Sequence, residues 1–110
     1  MTKVISLIQH PINLVRDGEV VLTINPSGNI ARVSVSRKQV GELLGFPRYK
    51  SVYGPVEGLP APEEGVVYAV SRLVLDRSPE RDDLVGPDTS PQGAVRNEKG
   101  HIIGVLGWQE

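Results

Sequence analysis

The sequence predicts a mainly β domain of the α+β class, built on a strongly twisted antiparallel or mixed sheet or on a small, partly open barrel. Short β-type runs recur along most of the chain, turn-forming residues separate them, and only two short segments have helical spacing. A length of 110 residues suits one modest core, so we expect a single domain over residues 1–110 with one or two short helices.

The β-type runs are short and mostly alternate in polarity, which is typical of strands with one wet face. Pro11 indicates a bulge or a bend between the first two runs, and Asp17-Gly18 predicts a hairpin turn after the second. Trp108 is expected to close one rim of the core. The expected strands are residues 4–7, 12–15, 20–24, 30–35, 48–53, 66–70 and 84–85, with a C-terminal hairpin at 94–96 and 101–108.

The first helical segment is expected at residues 36–45. Val40, Leu43 and Leu44 lie at i, i+3, i+4 spacing, and Ser36 is a candidate N-cap. The strand over residues 48–53 is expected to end at Gly54-Pro55. A proline-rich connector then crosses the surface to residue 65.

The second helical segment is expected directly after the most apolar strand. Residues 66–70 are apolar on both faces, which predicts a central strand. From Ser71 the spacing of the apolar residues becomes helical, Ser71 can cap, and Ser78-Pro79 stops the run. The alternative is one continuous strand from Val66 to Leu75.

Composition limits the classes of function. The chain has 12 basic and 13 acidic residues, a net charge of −1, which disfavours general nucleic-acid binding. It has no cysteine, so disulfides, thiolate chemistry and zinc–sulfur sites are excluded. No apolar run approaches the ~20 residues of a membrane span. The N-terminal run is expected to be a strand rather than a signal peptide, and we expect a cytoplasmic protein without membrane association.

Arginines suggest an anion site. Eight arginines outnumber four lysines, and arginine binds phosphate and carboxylate groups in a bidentate manner. A helix starting near Ser71 would place N-terminal amides and Arg72 at the end of the central strand. Arg81 and Arg96 are expected to converge there, in a pocket that a second subunit could complete. The alternative is a solvated helix face with ion pairs such as Arg72–Asp76.

Three further residues are candidate ligand-binding groups. Asp88 is expected to bond backbone amides of its own loop and so hold the approach to the arginines, with Thr89 beside it. Of the two histidines, His10 is the better candidate for a binding or acid–base role, because it lies beside Pro11, which indicates a bulge. Asp82, Asp83 and Asp88 lack the spacing of a calcium loop, and phosphate-loop, dinucleotide and serine-nucleophile motifs are absent. No metal, cofactor or catalytic residue is therefore expected.

Several short blocks, spread over nearly the whole chain, carry a resemblance to a known family. They are His10 with Ile12–Leu14, Pro26–Gly28, Ala31–Val33, Gly54 with Val56–Pro60, Tyr68, Val70-Ser71, Leu73-Val74, Arg81–Val85, Pro87–Thr89, Ala94–Arg96 and Gly100. With these blocks the chain resembles a family of small, mostly uncharacterised proteins encoded by phages, prophages and actinobacterial genomes. The chain differs at residues 6–10, Ser-Leu-Ile-Gln-His, where that family tends to have Asn-Leu-Thr-Pro-His.

The resemblance and the arginines together lead to three hypotheses. The first is a phage-type binding protein that sequesters an anionic, nucleotide-derived immune signal, by analogy with other compact phage-encoded sponges. The second is a non-enzymatic phage accessory or structural protein that acts by protein–protein interaction through a sheet edge or hairpin. The third is a small hydrolase that uses His10 with Asp82 or Asp83. A homodimer or higher homo-oligomer in the bacterial host cell is expected.

Overall fold

The computed structural model describes residues 2–110, of which strands take up 52% and one short helix 5%. The mainly β fold predicted from the sequence is confirmed. The elements are β1 Lys3–Ser6, β2 Ile12–Arg16, β3 Glu19–Ile24, β4 Arg32–Leu43, β5 Phe46–Glu57, β6 Val66–Ala69, α1 Arg72–Asp76, β7 Leu84–Pro87, β8 Ala94–Arg96, β9 Ile102–Val105 and β10 Trp108–Gln109.

The strands form two four-stranded sheets and one two-stranded ribbon. The first sheet has the order β1-β6-β7-β10, with β1, β6 and β7 parallel. The second has the order β3-β2-β9-β8 and is mixed. Strands β4 and β5 pair with each other and form what we call the arm, residues 32–57. No sheet closes into a barrel over residues 2–110, so the chain adopts the mixed-sheet form of the prediction.

The first sheet is the middle layer of the fold, because consecutive residues of β6 enter two different hydrophobic clusters. Tyr68 and Val70 pack on the side that holds α1 and the root of the arm. Ala69 packs on the other side, against Ile12 and Val105 of the second sheet. Strand β6 is thus covered on both faces and paired on both edges, which confirms the prediction of a central strand.

The helix after β6 begins where the sequence predicts. Ser71 has an extended backbone, and its hydroxyl accepts a hydrogen bond from the amide of Val74, so it is the N-cap. Val74 is buried against the first sheet. The helix ends before Ser78-Pro79, and the alternative of a continuous strand to Leu75 is wrong.

The helix expected at residues 36–45 is not formed, because these residues belong to β4 and the turn after it. Val40 lies at a register shift between Gln39 and Gly41, and Leu44 lies in the turn to β5. Their helical spacing is a coincidence, since none of the apolar residues in this segment is buried. A short helix without a buried face has little to stabilise it, whereas pairing with β5 satisfies the backbone along the ladder.

Two further expectations are corrected. Gly54-Pro55 does not end the strand, because β5 continues to Glu57. A register shift opposite Val33 and Val35 gives these residues a bulged position, which tolerates proline. The C-terminal hairpin consists of β8 and β9 only. Trp108 leaves it for β10, which pairs with β7 in the first sheet and packs on the cluster around Ile12.

The molecule is extended for its size. Its radius of gyration is 16.8 Å, against about 13 Å for a typical domain of this length. Its accessible surface is 7954 Å², against about 5,900 Å² for a monomeric protein of this mass. The arm accounts for this shape, since it leaves the body as two paired twelve-residue strands.

Candidate functional site

The arm is anchored at its root and free at its tip. Val33 and Val56 pack against the core cluster on the helix side of the first sheet. Gly58, just beyond β5, has φ +80°, and a Cβ there would collide with the carbonyl oxygen of Ile30. Arg77, at the end of α1, stacks on the ring of Tyr53 at 3.9 Å from its centroid. These contacts hold the root of the arm, formed by the start of β4 and the end of β5, on the body.

The outer part of the arm exposes apolar and aromatic side chains. At the tip, Leu43 is 61%, Leu44 91% and Phe46 73% exposed. Val40 and Tyr49 behind them are also exposed, and Arg37 stacks on the Tyr49 ring at 4.0 Å. Exposed apolar side chains gathered at one end of a hairpin make a candidate interaction site.

The turn at the tip is strained. Leu43 pairs with Phe46, which leaves Leu44 and Gly45 as a two-residue turn with φ of 53° and 84°. Positive φ at both central residues is the type I′ pattern, which prefers Asn, Asp or Gly. Leucine is disfavoured in this conformation by its Cβ. Leu44 is therefore unfavourable in two ways, by its backbone and by its exposure.

The arm and the rest of the chain carry opposite charge. Residues 32–57 hold five basic and two acidic side chains, a net charge of +3. The remaining residues hold seven basic and eleven acidic side chains, a net charge of −4. The near-zero charge of the whole chain thus conceals a basic arm on an acidic body.

Some of the residues predicted to bind a ligand meet at the carboxyl ends of β6 and β7. Arg72 donates to the side-chain oxygen of Gln109 at 3.1 Å, and Gln109 donates to Asp88 at 3.0 Å. Asp88 also accepts from the amide and hydroxyl of Ser90, which is the loop bond expected for it. Gln109 joins these residues into one network, although the sequence gives no signal for it.

The arginine of this network is already paired. The Nε of Arg72 lies 3.1 Å from the carboxylate of Asp76, in the ion pair considered as the alternative to an anion site. Both side chains are more than half exposed. Helix α1 has only five residues, so its N-terminal amides contribute little beyond the Ser71 cap.

Arg81 holds the connector that follows β5. Its guanidinium forms two hydrogen bonds of 2.8 Å to Asp83 and one of 2.9 Å to the carbonyl oxygen of Pro60. The hydrogen bond to Arg81 lowers the pKa of Asp83, and the same bond raises the pKa of Arg81. Both side chains are mostly buried, so this pair is a clamp between the connector and the crossover to β7.

Arg96 lies elsewhere. It donates to the carbonyl oxygen of Gly100 at 2.6 Å, within the β8–β9 hairpin. Within residues 2–110, no hydrogen bond joins Arg72, Arg81 and Arg96 to one another. Their predicted convergence remains a prediction, and each of them has a different partner in the structure.

His10 and Thr89 share a surface groove of about 480 Å³ between the two sheets. We call it the groove. Its other walls are mainly apolar, and Ile103 is 50% exposed. It lies along β2 and β9, whose one paired position among the described residues is Leu14 with Val105. Apolar walls with a few polar groups are typical of a binding surface. The groove is lined by Ile8, His10, Pro11, Thr89, Ile102 and Ile103, together with residues of β2, β7 and β9.

Histidine and the aspartates of the hydrolase hypothesis are not brought together. Asp82 lines a second surface groove of about 300 Å³, which His10 does not line, and Asp83 is held by Arg81. In the part of the chain that the structure describes, no group of three His, Asp or Glu side chains is placed to hold a metal ion. No helix there is long and apolar enough to cross a membrane.

Comparison with known proteins finds no matching family model, no matching curated protein and no matching solved structure. The family resemblance of the sequence blocks therefore stays an expectation.

The sequence does not predict the arm, for a definable reason. A Leu-Gly pair is a poor turn signal, so the residues on either side of it resemble a helix and a separate strand. The signal that could have found the arm is the pattern on both sides of Gly45. Apolar and polar residues alternate over residues 31–36 before Gly45, and Tyr49 lies between Arg48 and Lys50 after it.

Proposed function

We propose that this chain is a non-enzymatic protein that acts by protein–protein interaction, with the arm as its docking element. The resemblance of its sequence blocks suggests an accessory or structural protein of phage or prophage type. The observation that carries the proposal is the exposed apolar tip, formed by Leu43, Leu44 and Phe46.

The energetics of the arm support this role. A two-stranded hairpin is marginally stable on its own in water, and exposed apolar residues at its tip add nothing to folding. The chain also exposes about 2,000 Å² more surface than a monomeric protein of its mass. Stable protein–protein interfaces bury about 1,200–2,000 Å² in total. The arm thus offers surface of the amount and kind that a partner protein covers.

Sequestration of an anionic, nucleotide-derived molecule is the second candidate. His10 and Thr89 line the groove, and Asp88 and Arg72 share the Gln109 network near Thr89. This candidate is weaker because Arg72 and Arg81 are each paired with an aspartate. Calorimetric titration with cyclic nucleotides and ADP-ribose derivatives decides it, since no binding below about millimolar concentration would reject it.

The proposal is tested by comparing the proteins that co-purify with three tagged forms of the chain. The forms are the parent, the double variant Leu44→Asn/Phe46→Ser at the tip, and Val21→Asn as a matched control. Val21 is also an exposed apolar strand residue, at 55%, but lies outside the arm. We expect at least one polypeptide, including untagged copies of the chain, to be retained by the parent and the control and depleted at least tenfold with the tip variant. Equal recovery with all three forms would contradict the proposal.

A further inference from the structure

We infer that the partner of the arm is a second copy of this chain, whose groove receives the apolar tip. The inference rests on the proposed function, and it names the partner of the docking element and the surface that the partner contributes. The site consists of Leu43, Leu44 and Phe46 of one copy seated against the groove of the other.

Tip and groove match in chemistry and in size. The groove presents Ile8, Pro11, Ile102 and Ile103, and its volume of about 480 Å³ lies within the range of about 300–1,000 Å³ found for binding pockets. The tip presents two or three apolar side chains, which suit an apolar groove of this volume. The tip has no contact with the core clusters of its own chain. Each surface is thus left open in a single copy.

Charge favours contact between the arm of one copy and the body of a second copy. A basic arm, at +3, approaches a body at −4, so the arm of one copy is attracted to the body of another. The same charges would keep two arms apart. This pattern favours arm-to-body contact over arm-to-arm contact, which is the geometry that a tip in a groove requires.

The strained turn gives an independent argument. Asn or Asp at position 44 would suit the positive φ better and would be better solvated than a leucine that is 91% exposed. A residue that is unfavourable in the isolated chain by both measures is explained if its side chain is buried in the assembled state.

Nucleic acid is the rival occupant of a basic ribbon, because a two-stranded ribbon fits the major groove of DNA. Three observations disfavour it. The arm carries a net charge of only +3, the body would face the phosphates with −4, and the most exposed residues at the tip are apolar. Binding to DNA through the arm would therefore overturn the inference.

The contact joins two different surfaces, so two kinds of assembly are compatible with it. Two copies can exchange arms reciprocally, or several copies can form a ring or an open filament in which each arm enters the groove of the next copy. Both arrangements make the same local prediction, namely that residue 44 of one copy lies next to residue 103 of another.

The decisive experiment is site-specific crosslinking, which the chain allows because it contains no cysteine. Leu44→Cys and Ile103→Cys are made in separate, differently tagged chains, mixed, and treated with oxidised glutathione. We expect a tip–groove disulfide, since such a bond forms only when the two Cα atoms come within about 7 Å. Val21→Cys replaces Ile103→Cys in the control, because Val21 is equally exposed but does not line the groove. Equal crosslinking yields with the Ile103→Cys and Val21→Cys chains, or no crosslink, would overturn the inference.

Subunit mixing gives a second, non-covalent test. The parent is expected to sediment above its monomer mass of 11.9 kDa at concentrations of about 1–100 µM. The tip variant Leu44→Asn and the groove variant Ile103→Glu should each weaken association roughly tenfold to a hundredfold. A mixture of the two should associate again, because it contains one intact tip and one intact groove. A parent that stays monomeric at about 100 µM, or a mixture that does not recover, would reject the second copy as partner.

Failure of this inference can be told apart from failure of the proposed function. If the parent is monomeric and a different polypeptide co-purifies in a tip-dependent way, the arm is a docking element for another protein and only the second-copy inference is wrong. Fluorescence anisotropy with a labelled DNA duplex supplies the last outcome. Micromolar binding that Arg48→Ala and Lys50→Ala abolish would overturn both.

Discussion

The hairpins β2–β3 and β4–β5 share a turn conformation and differ in what surrounds it. Asp17 and Gly18 turn the first with φ of 53° and 81°, and Leu44 and Gly45 turn the second with φ of 53° and 84°. In both, the flanking residues pair directly across a two-residue loop. Asp-Gly is a preferred sequence for this turn, whereas Leu-Gly is not. Local preference therefore explains the first hairpin but not the second.

Their surroundings differ in the same direction. The β2–β3 hairpin places Ile12 and Ile24 against the second hydrophobic cluster, so its own chain covers one face. The arm is covered only at its root, by the cluster that includes Val33 and Val56. The first hairpin also exposes apolar residues in β3, but its Ile12 and Ile24 pack on the body, whereas no residue of the outer arm belongs to either hydrophobic cluster. Under the proposed function, this difference means that the outer arm is shaped by binding rather than by folding.

The largest expected effect contrasts one side chain from each hairpin. Ile12 is 5% exposed in the second cluster, so Ile12→Ala should lower the free energy of unfolding by about 2–5 kcal/mol. Phe46→Ala, at the exposed tip, should change it by no more than about 0.5 kcal/mol. Urea unfolding measures both, at a protein concentration where the chain is monomeric. Similar losses for both variants would mean that the tip packs on its own body, and the comparison would fail.

An intermediate effect is expected at the clamp below the arm. Asp83→Asn removes the carboxylate that pairs with the mostly buried Arg81, which should cost about 1.5–3 kcal/mol at neutral pH. Because Arg81 also holds the carbonyl oxygen of Pro60, hydrogen exchange should accelerate at residues 56–59, beside the arm's root. It should stay unchanged in β3. Asp76→Asn, which breaks the exposed pair with Arg72, is the matched control and should cost about 0.5 kcal/mol or less.

The clamp also predicts a pH dependence with a definite sign. The pKa of Asp83 is lowered in the folded protein, so below its ordinary value of about 3.9 the unfolded chain binds more protons. The stabilisation by Asp83 is complete at neutral pH and is lost as the pH falls through that value towards the folded pKa. The difference in stability between the parent and Asp83→Asn should therefore shrink in acid. A difference that stays constant from neutral pH to about pH 2 would show that the carboxylate charge is not what stabilises the clamp.

Much of the fold could be predicted because its signals are local. The apolar run of residues 66–70 and the Ser71 cap each depend on neighbours in sequence, and both are found where expected. The Asp17-Gly18 turn is equally local. The prediction for residues 36–45 failed because the deciding interaction is a ladder to residues 46–57, and the two strands are joined by a Leu-Gly turn, which is a poor turn signal.

The candidate site was less predictable for a physical reason. The structure joins Arg72 to Asp88 through Gln109, a contact across 37 residues that no local pattern encodes. His10 and Thr89 come together in the groove because β2 and β7 lie in sheets that pack on each other. The sequence predicts Asp76 as a partner of Arg72, because the two residues are four apart. It does not predict that Arg81 pairs with Asp83.

The smallest expected effect is the sharpest test, because it exchanges the two turns. Leu44→Asn gives the arm a residue that tolerates positive φ, so the isolated chain should gain up to about 1 kcal/mol of stability. Asp17→Leu makes the opposite change in β2–β3 and should lose about as much. Sedimentation should give the reverse order, since Leu44→Asn weakens self-association and Asp17→Leu leaves it intact. A Leu44→Asn variant that is less stable than the parent and associates normally would show that Leu44 serves its own fold, and the distinction between the two hairpins would disappear. A variant that is more stable and associates less would show that binding, at the expense of folding, explains leucine at this position.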